Sequence, residues 1–164
     1  MTFKKAALAT ILACSGWGAA QAEQTWAFTY AGGSISASGT FTTASAAPGA
    51  QDVLSISGVR NGVAILGLVP LGADTDYLYD NQFNATAPYF TDGGLLMAMA
   101  GGEPNVNFYF FEGDFYDLYN DGLGFIETPV SFNVTAVPEP ATVLSMLAGL
   151  GLVGVQLRRR RAAA

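Results

Sequence analysis

Trp26, Phe28 and Tyr30 occupy every second position of TWAFTYA (Thr25 to Ala31), with Ala27 and Thr29 between them. A period of two puts the three rings on one face of an extended strand and the small residues on the other. Between Glu23 and Val137 no apolar stripe persists at helical period for three turns, so the pattern predicts an all-β body. SISASGTFTT (Ser34 to Thr43) alternates in the same way around Ile35 and Phe41. In DVLSISGVRNGVAILGLVPLG, Asn61-Gly62 separates two apolar runs. Both residues tolerate positive φ, which predicts a hairpin with strands Val53 to Val59 and Val63 to Leu68. Further strands are predicted over Gly94 to Ala100, Asn105 to Phe111 and Val130 to Val134, with turns at Asp92-Gly93-Gly94, Gly101-Gly102 and Asp121-Gly122. The expected fold is one antiparallel β-sandwich or rolled sheet over 23–136, with Trp26, Phe28, Tyr30, Phe108, Tyr109, Phe110 and Phe111 as core content.

Both ends of the chain are expected to serve export. Lys4 and Lys5 precede an apolar run from Ala6 to Ala13, and small residues follow as far as Ala20-Gln21-Ala22. This is the layout of a secretory signal peptide, an N-terminal helix over 1–22 cleaved before Glu23. Ile11-Leu12-Ala13-Cys14 is similar to a lipobox, the alternative processing site, at which the cysteine is acylated. Cys14 is the single cysteine, so cleavage after Ala22 leaves no thiol for disulfides, catalysis or metal binding. At the other end, Ala141 to Leu157 carries no charge and is followed by Arg158, Arg159, Arg160 and Arg161. That length is near the short limit of about 17 residues for a membrane-spanning helix. The arginines fix their end at the cytoplasmic headgroups, so the body hangs outside the membrane.

With both ends set aside, Arg60 is the only cation left against twelve carboxylates, a net charge of about −11. Such a surface repels phosphate backbones and anionic headgroups, which excludes nucleic acid as a partner. Histidine is absent from the chain and no lysine follows Lys5, so Ser/His/Asp and Schiff-base schemes have no residues to build them. Paired carboxylates, as in a hydrolase, remain open through Glu103, Glu112, Asp114 and Glu127. Calcium is the other ligand expected: Asp74-Thr-Asp76 with Asp80, and Glu112-Gly-Asp114 with Asp117, Asn120 and Asp121, read as oxygen-rich loops, although neither set has EF-hand spacing. Tyr77, Tyr79 and Tyr89 are candidates to stack on sugar rings.

Pro138-Glu139-Pro140, an apolar span over 141–157 and a run of arginines, in that order, resemble the PEP-CTERM sorting signal of Gram-negative bacteria. The resemblance covers Val137 to Arg161, within a sorting segment expected over 137–164. It implies passage through the secretion translocon, a transient membrane anchor, and processing near Pro138-Glu139-Pro140 by an exosortase, a membrane protease. Many proteins with this tail have Ser/Thr-rich β bodies and are associated with exopolysaccharide and biofilm, which implies a non-catalytic surface or extracellular-matrix protein without a cofactor. A calcium-dependent carbohydrate-binding or adhesive module is the alternative, and a carboxylate-based hydrolase the third.

Overall fold

The computed structural model describes residues 23–138. The expected signal peptide over 1–22 with Cys14, Ala20 and Ala22, and the tail from Glu139 and Pro140 through the 141–157 stretch to Arg158–Arg161, lie outside the described residues.

Nine strands follow in order: β1 (Gln24–Gly32), β2 (Ile35–Thr43), β3 (Ala50–Arg60), β4 (Val63–Leu68), β5 (Gln82–Asn84), β6 (Leu95–Met99), β7 (Val106–Phe111), β8 (Asp114–Asn120) and β9 (Phe125–Ala136). Leaving out β5, each strand pairs antiparallel with its neighbour in sequence, and β9 returns to β1 with Trp26 opposite Ala136. The sheet is therefore a closed eight-stranded up-and-down barrel rather than a sandwich. Closure removes the exposed sheet edges that two separate sheets would leave. The short β5 lies across the start of β3, with Gln51 opposite Phe83.

The turns explain the register. Asn61 and Gly62 both have positive φ, 49° and 82°, as a two-residue hairpin of this hand requires. Asn61 ties the turn to β2 as well, accepting the Ser36 amide on Oδ1 at 2.8 Å and donating its own amide to the Ser36 carbonyl at 2.8 Å. Within the wall, Gly39 faces Gly58 across β2 and β3. A Cβ on Gly39 would meet the Ser57 carbonyl at 2.1 Å, and one on Gly58 the Ser38 carbonyl at 2.2 Å. The two strands can approach this closely here only without side chains.

Inward positions carry the rings. Tyr30 stacks on Phe108 at 4.6 Å between centroids, Phe108 on Phe115 at 5.7 Å, and Phe132 packs beside Phe108 at 5.0 Å. The excursion between β4 and β6 folds back over one end of the barrel. It inserts Phe83 against Trp26 and Phe41, and Phe90 against Phe108 and Phe132. Asn81 holds the excursion down: its side-chain nitrogen donates to the Val69 carbonyl at 2.9 Å and its oxygen accepts the Leu96 amide at 3.0 Å. The space left among Phe28, Phe41, Phe90, Phe108 and Phe132 is about 10 Å³, room for one water at most. Ligand chemistry therefore falls to the outer wall and the mouths.

Two expectations about the core need correction. β7 alternates with Val106, Phe108 and Phe110 inward, so Tyr109 and Phe111 stand on the outer wall, Phe111 with 47 % of its surface exposed. Strand β9 begins at Phe125 and runs to Ala136, well beyond the Val130 to Val134 stretch legible as alternation.

Candidate functional site

The segment Asp114–Asn120, read as a calcium-type loop, is strand β8. Phe115, Asp117 and Tyr119 point inward, and an aspartate in the middle position hides the alternation. Asp117 has no exposed surface. Arg60 Nε donates to its Oδ2 at 2.8 Å and Arg60 Nη2 to its Oδ1 at 2.6 Å. The Tyr30 hydroxyl donates to Oδ2 at 2.9 Å, and the guanidinium carbon lies 4.8 Å over the Tyr119 ring. The body's single cation is thus spent on one buried carboxylate, near the Asn61-Gly62 end of the barrel. With both oxygens taken, Asp117 is a structural anion.

The other acidic candidates disperse. Asp74 accepts the Asp76 amide at 3.1 Å and the Asn105 side-chain nitrogen at 2.9 Å. Asp121 accepts the amides of Leu123 and Gly124 at 2.8 and 3.0 Å, closing the β8–β9 turn, and Asp114 opens β8 in an exposed position. Among the described residues no three His, Cys, Asp or Glu side chains gather to hold a metal ion. Of the carboxylates weighed for hydrolysis, Glu103 follows the short turn Ala100–Gly102 at one end of the barrel, and Glu112 with Asp114 flanks the β7–β8 turn at the other. Glu127 stands apart from both, on the outer face of β9.

Glu127 belongs instead to a groove of about 460 Å³ on the outer wall. Its floor is the outward row Asn107, Leu118 and Glu127 of β7, β8 and β9, with Tyr109 and Phe111 on one side and Phe125 at the end. Its other bank is the excursion, which brings Asp76, Tyr77, Leu78 and Asp92 alongside β7. Tyr77 fixes that bank, donating to the Asn105 carbonyl at 3.0 Å and accepting the Asn120 amide at 3.0 Å. Its ring meets Phe125 edge-on at 5.3 Å. Phe125 remains 50 % exposed, and Asp76, Asp92 and Glu127 are all exposed. Asn107 is 2 % exposed: its side-chain nitrogen donates to the Leu78 carbonyl at 2.7 Å, while its oxygen is buried and meets no donor. Tyr109 donates its hydroxyl to Glu127 and stacks on Tyr116 at 5.6 Å.

Of the three tyrosines proposed to stack on sugars, only Tyr77 lines this groove. Tyr79 donates to the Pro70 carbonyl at 2.6 Å and Tyr89 stacks on Phe83. The opposite wall differs in kind. Thr29, Ser36, Ser38, Ser131 and Asn133 line a depression of about 360 Å³ with neither charge nor exposed ring.

Burial raises three tyrosine hydroxyls, Tyr77 among them, and two of the three carry the strongest pH signature. Burial raises the Tyr30 hydroxyl above the ordinary 10.0, and the Asp117 charge raises it further. Burial likewise raises Tyr109, with Glu127 adding to it. The unfolded chain then releases these protons first as the pH climbs, so their contribution is complete below about pH 10 and is lost above it. Alkaline titration followed at the phenolate absorbance should show two tyrosines silent until the near-ultraviolet circular dichroism collapses. Seven tyrosines titrating together near pH 10 with the fold intact would contradict the geometry.

The chain leaves the barrel without a spacer. β9 ends at Ala136, the Val137 amide donates to the Thr25 carbonyl at 2.8 Å, and Gln24 Nε2 donates to the Val137 carbonyl at 3.1 Å. Pro138 is the next residue. Comparison with curated proteins and with solved structures returns no match. Residues 136–161 match the PEP-CTERM protein-sorting motif. The chain is therefore one that carries a PEP-CTERM sorting motif directly on the last strand of its barrel, and the motif implies export through a membrane-anchored intermediate processed by exosortase.

Proposed function

We propose that the exported barrel is a non-catalytic, glycan-binding protein of the cell surface or extracellular matrix, holding exopolysaccharide in the groove between β7–β9 and the excursion. The observation that carries this reading is the pairing of rings with acceptors on one open surface: exposed Phe125 and Phe111 and half-buried Tyr77 beside the exposed carboxylates of Asp76, Asp92 and Glu127. A sugar ring has an apolar C–H face and a polar rim, so it packs on an aromatic side chain while its hydroxyls donate to carboxylates and amides. An exposed apolar patch of this kind on an exported domain marks an interaction surface. The non-catalytic reading is supported by the exposure of all three groove carboxylates. Paired-carboxylate hydrolysis calls for one member in an apolar surround.

Calorimetry with a panel of oligosaccharides tests the reading. Saturable heat is expected, and Phe125→Ala should weaken binding about tenfold, the equivalent of about 1.4 kcal/mol. Leu66→Ala, at a still more exposed apolar residue on β4, should leave binding unchanged. If no oligosaccharide gives saturable heat, the reading falls.

A further inference from the structure

We infer that the glycan this groove takes is cationic, a polymer of amino sugars with free, protonated amines. The inference rests on the saccharide reading and adds the charge of the ligand. It comes from the hydrogen-bonding capacity that the groove leaves unused. Its side-chain donors are already committed to the protein: Tyr77 to the Asn105 carbonyl, Tyr109 to Glu127 and the Asn107 nitrogen to the Leu78 carbonyl. What remains is acceptor capacity, on the carboxylates of Asp76, Asp92 and Glu127 and on the buried Asn107 oxygen. Because Leu78 offers a carbonyl, the amide cannot reverse without setting oxygen against oxygen, so the orphaned atom stays an acceptor.

No cation among the groove-lining residues offsets these charges, since Arg60 is turned into the barrel and bound to Asp117. A uronic acid polymer brings acceptors and negative charge, and is repelled. A neutral sugar donates and accepts about equally and leaves the surplus unanswered. An ammonium brings three donors, no acceptor and a positive charge. It is also drawn to the faces of the rings that bank the groove.

The test titrates the exported protein with four oligomers of equal length: glucosamine with free amines, its N-acetylated form, a neutral β-glucan and oligogalacturonate. Oligolysine serves as a fifth probe. The free-amine oligomer is expected to bind about tenfold tighter than its acetylated form at low salt. That ratio should shrink at about 1 M salt, where charges are screened within about 3 Å. Glu127→Gln with Asp92→Asn should abolish the preference, bringing the free-amine and acetylated oligomers to equal affinity. Equal binding of free-amine, acetylated and neutral oligomers would overturn the inference and leave the saccharide reading standing. Tightest binding by oligogalacturonate would overturn it as well, and binding by oligolysine at the strength of the amino sugar would show that the groove reads charge and no sugar. Binding by none would remove both.

Discussion

Asp117→Ala is expected to cost about 3–5 kcal/mol of folding free energy, the typical consequence of leaving one member of a buried ion pair without its partner. Arg60 would keep its place in the mouth of the barrel with its Nε and Nη2 donors unmatched, and the Tyr30 hydroxyl would lose its acceptor in the same substitution. Against a total of about 5–15 kcal/mol for a typical domain, that is a large share. Urea unfolding followed by the fluorescence of Trp26, the only tryptophan between Glu23 and Val137, gives the midpoint directly. The double variant Arg60→Met with Asp117→Leu should recover most of the loss, because a well-packed apolar pair avoids taking two ions out of water. An unchanged midpoint for Asp117→Ala would mean that water reaches Arg60 and that the pair contributes nothing to the fold.

The same pair shows where sequence reasoning reaches its limit. Strand β1 was legible because Trp26, Phe28 and Tyr30 all face one medium, and the β3–β4 hairpin because Asn61 and Gly62 announce their backbone conformation locally. Strand β8 was not, since its inward positions read Phe, Asp, Tyr and the residue that makes the aspartate tolerable lies 57 positions away. Closure into a barrel was likewise hidden in a contact between chain ends, Trp26 against Ala136. Phe83 and Phe90 were missed as core residues because they sit in a segment rich in turn formers, where three residues of β5 leave no measurable period. The groove has the same character. Tyr77 of the excursion, Asn107 of β7 and Phe125 and Glu127 of β9 come from three separate elements and meet only because the excursion lies along β7. What did announce itself was the tail, whose Pro-Glu-Pro, apolar span and arginines are contiguous and form the motif found at 136–161.

Exosortase processing should therefore leave the barrel whole, with a cut C-terminal to Val137. The last residue bonded to the sheet is Val137, held by the Thr25 carbonyl and the Gln24 side chain, and β9 pairs with β1 as far as Ala136. A protease that needs its substrate extended in a cleft can reach the chain only where it has left the sheet. Pro138 is the first such residue and the first residue of the Pro-Glu-Pro sequence, and, lacking an amide hydrogen, it cannot continue the ladder. Intact mass of the protein released by its host is expected to place the new C-terminus at Pro138 or beyond. Replacing Pro138, Glu139 and Pro140 together by alanine, or deleting the exosortase, should leave the whole tail in place and the protein in the membrane fraction. A released form ending before Val137 would show that the β1–β9 seam opens during processing. In that case the barrel truncated at the observed end should unfold at lower urea than the chain ending at Pro138, because the pairs Trp26 with Ala136 and Ala27 with Thr135 close the cylinder at the end where both termini emerge.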